Sequence, residues 1–289
     1  MGASGVNPPV VERAFASHRR IALAVTAAAL ALAPVARNLD HGAQIAILAI
    51  GLLSTGVPHG AVDHARMAPA LRRRLGRAWL PVFLSAYLAL AAAVAALWLA
   101  APVASLGLFL AMSAHHFGRG DADDGLGVVV HGSLPILAPC AAHPDAVSGL
   151  FATLTAADAS SWHAALRDAQ PVLALAAGAL IALHLVRPRR HAGATLEVLA
   201  VAAAGAVLPP LVSFSIYFSV WHAPRHILLV AQELRPGPQL RSLAGFARNA
   251  MPMTLATAGL GAIAFFWLPP GEPPSDRLLQ VVFVGLAAL

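Results

Sequence analysis

The sequence contains little charge and only one cysteine. Of its 289 residues, 11% are charged and 58% are hydrophobic, and the mean hydropathy is +0.72. Soluble domains carry roughly 25% charged residues, so this composition excludes an ordinary soluble domain and indicates a membrane protein. The single cysteine, Cys140, excludes an intrachain disulfide and a cysteine-based zinc or iron–sulfur centre.

The sequence also contains no lysine, because all 19 of its basic residues are arginine. A protein without lysine cannot hold retinal through a lysine Schiff base, which excludes a covalent retinal-binding opsin. The formal net charge is +6. The arginines lie between apolar stretches, so membrane topology and anionic lipid explain them better than nucleic acid does. We therefore expect a lipid bilayer and no nucleic acid among the partners.

The apolar runs predict an all-α fold, namely a polytopic integral membrane helical bundle. They lie at roughly residues 20–36, 43–57, 79–100, 102–118, 126–142, 171–186, 193–209, 211–231, 250–268 and 276–289. A span needs about 17–25 residues and several runs are shorter, so we expect about eight to ten transmembrane helices. Residues 20–289 are expected to form one transmembrane helical domain, preceded by a disordered cytoplasmic arm over residues 1–19.

The arginines predict which helix ends face the cytoplasm. With the N-terminus inside, fifteen arginines lie on the cytoplasmic side, Arg37, Arg167 and Arg277 lie outside, and Arg225 lies within a helix. This distribution follows the positive-inside rule. We expect a multi-pass protein of the cell membrane with a cytoplasmic N-terminus and a long outer loop over residues 143–170, with room for a short surface helix.

Five histidines lie toward the cytoplasmic ends of the predicted spans. They are His59 and His64 in GVPHGAVDH, His116 in SAHHFGRGD, and His222 and His226 in YFSVWHAPRH. Ionisable residues at membrane depth are costly and indicate functional sites. The topology brings imidazoles from three distant segments to one depth, so we predict a metal site formed by His59, His116, His222 and His226.

The spacing of these histidines supports a shared site. His222 and His226 are four residues apart, so on a helix they share a face and can bind one metal. Pro224 lies between them and should disturb the helix, because proline clashes with the carbonyl four residues earlier, and Pro58 beside His59 should act similarly. His115 and His116 diverge by about 100° on a helix, so only one of them should face the site.

The metal and the neighbours of its ligands remain open at this point. Neutral imidazoles without thiolates suit iron, copper, zinc or nickel. His64 is either a further ligand or a residue that contacts one. The acidic side chains of Asp63, Asp121 and Glu233 are expected to accept hydrogen bonds from ligating imidazoles, which would hold each ring in one tautomer.

The motifs PHGAVDH, HFG and WHAPRH together resemble the bacteriorhodopsin-related protein family (Brp/Blh), which are integral-membrane β-carotene 15,15′-dioxygenases. The resemblance spans about residues 50–240, with the motifs in order. It implies that one Fe(II) is held by four catalytic histidines, here His59, His116, His222 and His226. The topology argument selects the same four residues.

The implied function is cleavage of the central 15,15′ double bond of β-carotene with O2, giving two retinal molecules. The partners so implied are β-carotene or a related carotenoid, O2, and a functional link to a separate retinal-binding rhodopsin. A polyene that partitions into lipid can enter a membrane enzyme sideways, into an apolar, aromatic tunnel. Aromatic residues near the site are Phe109, Phe117, Phe214, Tyr217, Phe218 and Trp221.

Two alternatives belong to other classes. The first is a membrane di-iron hydroxylase or desaturase acting on carotenoids or lipids, which usually needs about eight histidines, and one iron or two per chain would decide between the readings. The second is a non-enzymatic metal- or carotenoid-binding membrane protein. If this protein were a metal transporter, its ligands should lie near mid-membrane, whereas these histidines lie towards one face.

Overall fold

A computed structural model describes residues 8–122, 124–187, 192–233, 243–268 and 273–288, and every regular element in them is a helix. The first eight α-helices are α1 (Pro8–Ala31), α2 (Ala33–Ala36), α3 (His41–Gly51), α4 (Val57–Gly60), α5 (Asp63–Leu75), α6 (Trp79–Ala100), α7 (Pro102–Asp121) and α8 (Gly125–Ala142). The others are α9 (Pro144–Thr155), α10 (Ala159–Val186), α11 (Ala192–Val207), α12 (Pro210–Ile216), α13 (Ala223–Glu233), α14 (Leu243–Trp267) and α15 (Pro274–Ala288).

The helices are apolar enough for a membrane, which confirms the predicted all-α membrane bundle. Within the described ranges, four stretches are long and apolar enough to cross a bilayer: His41–Ala100, Gly125–Ala142, Ala159–Val186 and Gly245–Trp267. Leu99 and Trp267 are each 85% exposed, as expected of side chains that face lipid. The larger expected number of spans stays a prediction, because several apolar runs fall in shorter helices such as α12 and α13.

The N-terminal segment differs from the disordered arm expected over residues 1–19. Residues 8–19 form the first half of α1, while residues 1–7 lie outside the described part of the chain. Pro8 and Pro9 open the helix, where proline is tolerated because the first N–H groups of a helix have no partner within it. Helix α1 packs against α11 and α13, so tertiary contacts order a segment whose own composition is unremarkable.

The segment over residues 143–170 is mostly helical, which is more helix than the short surface helix expected within a loop. It contains α9, a short connection, and the first turns of α10. Asp158 begins α10 by accepting a hydrogen bond of 2.9 Å from the Ser161 N–H. Arg167 of α10 forms an ion pair with Asp145 of α9, which holds these two helices side by side.

Two glycines allow α7 and α8 to approach until their backbones touch. A Cβ atom on Gly118 of α7 would overlap the Val128 carbonyl of α8, and one on Gly132 of α8 would overlap the Ala114 carbonyl of α7. Only glycine fits such a contact between backbones. Gly118 lies two residues after His116, so this contact sets the position of one predicted ligand.

Two π-helical turns interrupt the helices that carry the other predicted ligands. Leu52–Gly56 immediately precedes α4, and Tyr217–His222 immediately precedes α13. Each turn lies just before a proline, Pro58 or Pro224, at the position where the sequence predicted a disturbed helix. The two turns pack on each other, and such turns are frequent at functional sites.

Candidate metal centre

Three histidines from distant parts of the chain converge at the two π-helical turns. His59 lies in α4, His116 in α7, and His222 is the last residue of the second turn. One ring nitrogen of each lies within 4.8 Å of the other two. The Nε2 atoms of His116 and His222 are 3.1 Å apart. Among the residues that the structure describes, this is the one group of histidine, cysteine or carboxylate side chains arranged closely enough for a metal.

His226 lies beside this group, one turn further along α13. Its ring centroid is 5.2 Å from that of His59, 6.1 Å from that of His116 and 6.2 Å from that of His222. The four imidazoles predicted as ligands are therefore neighbours in space. The Nδ1 atom of His226 is buried and has no hydrogen-bond partner, and His226 lies outside the group of three whose ring nitrogens come within 4.8 Å of one another.

The hydrogen bond of His59 determines which of its nitrogens is available. Nδ1 contacts the Gly56 carbonyl of the first π-helical turn. A carbonyl only accepts, so Nδ1 carries the proton and Nε2 keeps a free lone pair. This arrangement, a ligand ring held by a backbone carbonyl through its other nitrogen, is typical of histidines that bind metals.

The cluster is buried on one side and open on the other. His222 is 1% exposed, whereas the side chain of His116 is exposed at the surface of the bundle. The aromatic rings of Phe117 and Phe218 pack on the cluster, with centroids 4.9 Å from His222 and 5.5 Å from His59. The site is therefore reached past α7 and is lined by apolar rings.

A row of aromatic rings leads away from the cluster through the core. Phe218 contacts Phe214 at 5.6 Å between centroids, Phe214 contacts Phe283 at 5.7 Å, and Phe283 contacts Phe109 at 6.1 Å. Of the six aromatic residues singled out in the sequence, all except Trp221 are thus near the cluster or connected to it. Trp221 instead packs toward α1, where its ring meets that of His18.

A buried charge network lies next to the cluster. Arg225, between His222 and His226 in the sequence, donates to Asp121 of α7 at 2.8 Å and to Glu197 of α11 at 2.7 Å. The three side chains are only 6–12% exposed. The network joins the helix of His226 to the helix of His116, so it holds two ligand-bearing helices in register.

Of the expected acceptors of imidazole hydrogen bonds, Asp121 has other partners. Asp121 pairs with Arg225 and accepts from the Tyr217 hydroxyl at 3.5 Å, so its contacts are with these groups rather than with an imidazole. The Nδ1 of His64 lies 2.9 Å from the Ala61 carbonyl, outside the group of three. Asp63 begins α5, and the side chain of Glu233 lies outside the described residues.

Three features beside the cluster were not predicted from the sequence: Glu197, the role of Arg225 and the role of His18. An arginine inside an apolar helix requires a buried acidic partner, so Arg225 and the lone acid in ATLEVLA gave a signal for the pair. His18 lies among arginines in the segment expected to be disordered. Its contact with Val220 joins residues 202 positions apart, and no local pattern indicates it.

The donor set fits a metal ion. The 3.1 Å between the two Nε2 atoms is the separation expected for two ligands on one ion, since metal–imidazole bonds are about 2.0–2.1 Å long. Asp121 and Glu197, two buried carboxylates beside the cluster, are engaged by Arg225, and the group of three offers only imidazole nitrogens as ligands. Such a set suits iron, copper, zinc or nickel and does not suit magnesium or calcium.

An all-helical membrane bundle with imidazoles gathered near one end of its helices defines the class: a histidine-rich integral membrane protein. The family model described as β-carotene 15,15′-dioxygenase matches residues 50–289. The chain therefore belongs to this family, and the family predicted from the three histidine motifs is confirmed.

Two curated relatives cover most of the chain. It is 30% identical to the probable β-carotene 15,15′-dioxygenase Blh of Halobacterium salinarum, an alignment that covers 100% of this chain and 95% of the relative. It is 28% identical to the β-carotene 15,15′-dioxygenase of an uncultured marine bacterium 66A03, over 81% of this chain and 86% of the relative. No solved structure matches the chain significantly.

Proposed function

We propose that the protein cleaves the central 15,15′ double bond of β-carotene with O2 and releases two retinal molecules. In this proposal His59, His116, His222 and His226 hold one Fe(II). Family membership supports the reaction, and the observation that carries the site is the convergence of three imidazoles, with His226 beside them, on two interrupted helices and α7. The stoichiometry balances, because each carbon of the broken bond receives one oxygen atom of O2.

Fe(II), when bound, supplies the redox chemistry that dioxygen requires. The chain supplies position and environment. The Gly56 carbonyl orients His59, and the backbone contact at Gly118 positions His116. Packing of Phe117 against His222 excludes water from the buried side. These contacts would hold the proposed ligands in one arrangement, so that the substrate and the oxidant meet in a fixed geometry, which is the main contribution that a protein makes to such a reaction.

The exposed side of the cluster supports entry of the substrate from lipid. β-Carotene is apolar and partitions into the bilayer, so a route through water would be unfavourable. His116 lies at the surface of the bundle, and the neighbouring Met112 on α7 is 61% exposed. We propose that the polyene approaches along this face of α7 and that aromatic rings beside the cluster pack against it.

The decisive experiment is turnover by purified protein. The chain would be reconstituted in lipid nanodiscs, loaded anaerobically with Fe(II), and exposed to β-carotene and O2. We expect two retinals per β-carotene consumed, measured by chromatography, and one oxygen atom from ¹⁸O2 in each aldehyde when the product is trapped rapidly. His226→Ala, which lacks one proposed ligand, should bind less iron and form no retinal. His163→Ala, changed at an exposed histidine on α10, is its matched control.

Other outcomes would identify the alternatives. Hydroxylated or desaturated products with two irons per chain would indicate a di-iron hydroxylase or desaturase. Tight retention of unchanged β-carotene in the presence of O2 and Fe(II) would indicate a binding protein. Retinal whose oxygen came only from water under rapid trapping would contradict a dioxygenase.

The proposed location is the cell membrane, with multiple spans and a cytoplasmic N-terminus. The arginines of α5, Arg72, Arg73 and Arg74, then lie in the cytoplasm and can contact anionic lipid. A reporter fused after residue 77 is expected to be cytoplasmic, and one inserted near residue 155 is expected to be external. Reporters on the same side would contradict this topology.

The fate of the product follows from the missing lysine. Retinal is an aldehyde, and covalent retention of it needs a lysine Schiff base, which this sequence cannot supply through a side chain. The proposed enzyme therefore releases its product, and a separate retinal-binding rhodopsin is the expected acceptor. Retinal formed by the purified protein should remain extractable without acid hydrolysis.

A further inference from the structure

The second π-helical turn leaves two backbone carbonyls without their usual donors. In an α-helix, the carbonyls of Ser219 and Val220 would accept from the N–H groups of residues 223 and 224. The Ala223 N–H instead donates to the Phe218 carbonyl, and Pro224 has no N–H. A carbonyl without a donor is especially unfavourable at membrane depth, so this turn persists only if other groups donate to it.

Side chains from two other segments supply the missing donors. The Thr55 hydroxyl of the first π-helical turn donates to the Ser219 carbonyl at 3.0 Å. The ring of His18, on α1, lies with its Nε2 2.9 Å from the Val220 carbonyl. Since the carbonyl can only accept, His18 is the donor and holds its proton on Nε2. The hydrogen bond that Pro224 cannot donate to the Val220 carbonyl is thus supplied by His18, which lies 202 positions before Val220.

Helix α1 contacts this turn at a second point. The indole N–H of Trp221 donates to the Thr26 hydroxyl at 2.9 Å, and Thr26 is completely buried. The rings of His18 and Trp221 meet edge to face, with centroids 6.5 Å apart. Both contacts fall within two residues of His222 in the sequence, so α1 is attached to the segment that carries this proposed ligand.

We infer that His18 is a positioning residue for the histidine cluster: its N–H replaces the donor that Pro224 lacks and holds the π-helical turn so that His222 faces His59 and His116. This inference rests on the proposed metal centre. It assigns a function to α1, which precedes residue 50, where the family match begins. His18 does not contact the metal or the substrate and acts through the backbone of Val220.

The test measures metal affinity and ligand geometry separately from turnover. His18→Leu removes the donor and introduces an apolar side chain of similar size, whereas His18→Gln keeps an N–H donor. His163→Leu is the matched control at an exposed histidine. Purified full-length variants in nanodiscs would be titrated anaerobically with Fe(II), and Co(II) would be added as a spectroscopic probe of ligand geometry.

We expect His18→Leu to bind Fe(II) about 10–100-fold more weakly than the wild type, the usual effect of removing a group that orients a ligand. Its Co(II) absorption should also differ from that of the wild type. His18→Gln should recover most of the affinity and the wild-type spectrum. The control variant should match the wild type in both measurements.

A double-mutant cycle with Pro224→Ala tests the mechanism itself. Alanine at position 224 provides an N–H that can donate to the Val220 carbonyl, so His18 becomes less necessary. We expect His18→Leu to reduce affinity much less in the Pro224→Ala background than in the wild type, a non-additive result. This comparison also remains informative if the single His18→Leu variant folds poorly, because the second change restores the donor.

Three results would overturn the role of His18. These are unchanged Fe(II) affinity and Co(II) spectrum in His18→Leu, equal losses in His18→Leu and His18→Gln, and equal losses from His18→Leu with and without Pro224→Ala. A wild-type protein that binds neither Fe(II) nor Co(II) would instead overturn the proposed metal centre. The two failures are thus distinguished by the wild-type titration alone.

Discussion

Arg225 provides the sharpest test of what holds the bundle together beside the histidine cluster. Replacing it with methionine keeps a long, flexible side chain and removes the charge. Asp121 and Glu197, whose side chains are 6% and 10% exposed, would then be buried carboxylates without this cation. A charge that loses its partner in a low-dielectric environment is much more costly than the pair itself.

The size of the effect follows from the contacts. Breaking a buried ion pair by removing one partner costs about 3–5 kcal/mol. Arg19 lies 3.8 Å from Glu197 and can compensate part of that charge, so Asp121 bears most of the penalty. We therefore expect Arg225→Met to lower the free energy of unfolding by about 3 kcal/mol, a large fraction of the usual total of about 5–15 kcal/mol.

The same contacts predict which further changes restore stability. Arg225→Lys keeps the charge and loses the forked geometry that reaches two carboxylates, so it should lie between the wild type and Arg225→Met. Combining Arg225→Met with Asp121→Asn and Glu197→Gln removes the unpaired charges and should recover most of the loss. Unfolding would be followed in mixed micelles by titration with a denaturing detergent and by circular dichroism.

An Arg225→Met variant whose unfolding free energy lies within about 0.5 kcal/mol of the wild type would contradict this prediction, because ordinary surface substitutions fall in that range. A triple variant less stable than Arg225→Met would also refute it, because neutralising both carboxylates would then have brought no relief. His163→Met, at an exposed position on α10, serves as the matched control.

Three further predictions concern the cluster and the helix that carries His116. His222→Ala should lower bound Fe(II) and abolish retinal formation, since it removes the most buried imidazole; metal analysis showing full iron would contradict its assignment as a ligand. His116→Ala should be far more damaging than His115→Ala, because adjacent helical residues diverge by about 100°, and kcat measured for both variants decides this. Gly118→Val should cost about 1–3 kcal/mol by forcing α7 away from α8, whereas Gly107→Val, on the same helix in open space, should leave unfolding unchanged.

Composition, hydropathy and the histidine motifs are sufficient to predict the class of protein and most of the proposed site. Hydropathy and the arginine distribution are local properties, and they indicate membrane helices because the bilayer imposes the same length and charge rules on every span. Because the predicted helix ends lie at one depth, the sequence alone predicts that His59, His116 and the His222–His226 pair lie together. Pro58 and Pro224 likewise marked the disturbed helices, since proline removes a backbone donor wherever it occurs.

The hydrogen-bond and ion-pair partners of these polar groups depend instead on how the helices pack. The sequence shows that Pro224 leaves a carbonyl without a donor, and the fold supplies His18 from α1. It shows an arginine in an apolar helix, and the fold supplies Asp121 and Glu197 from two other helices. Hydrogen bonds and ion pairs between helices depend on how the helices pack, and periodicity along one chain segment carries no information about partners in other helices. Here Glu197, Asp121 and His18 lie 28, 104 and 202 residues from the groups that they contact.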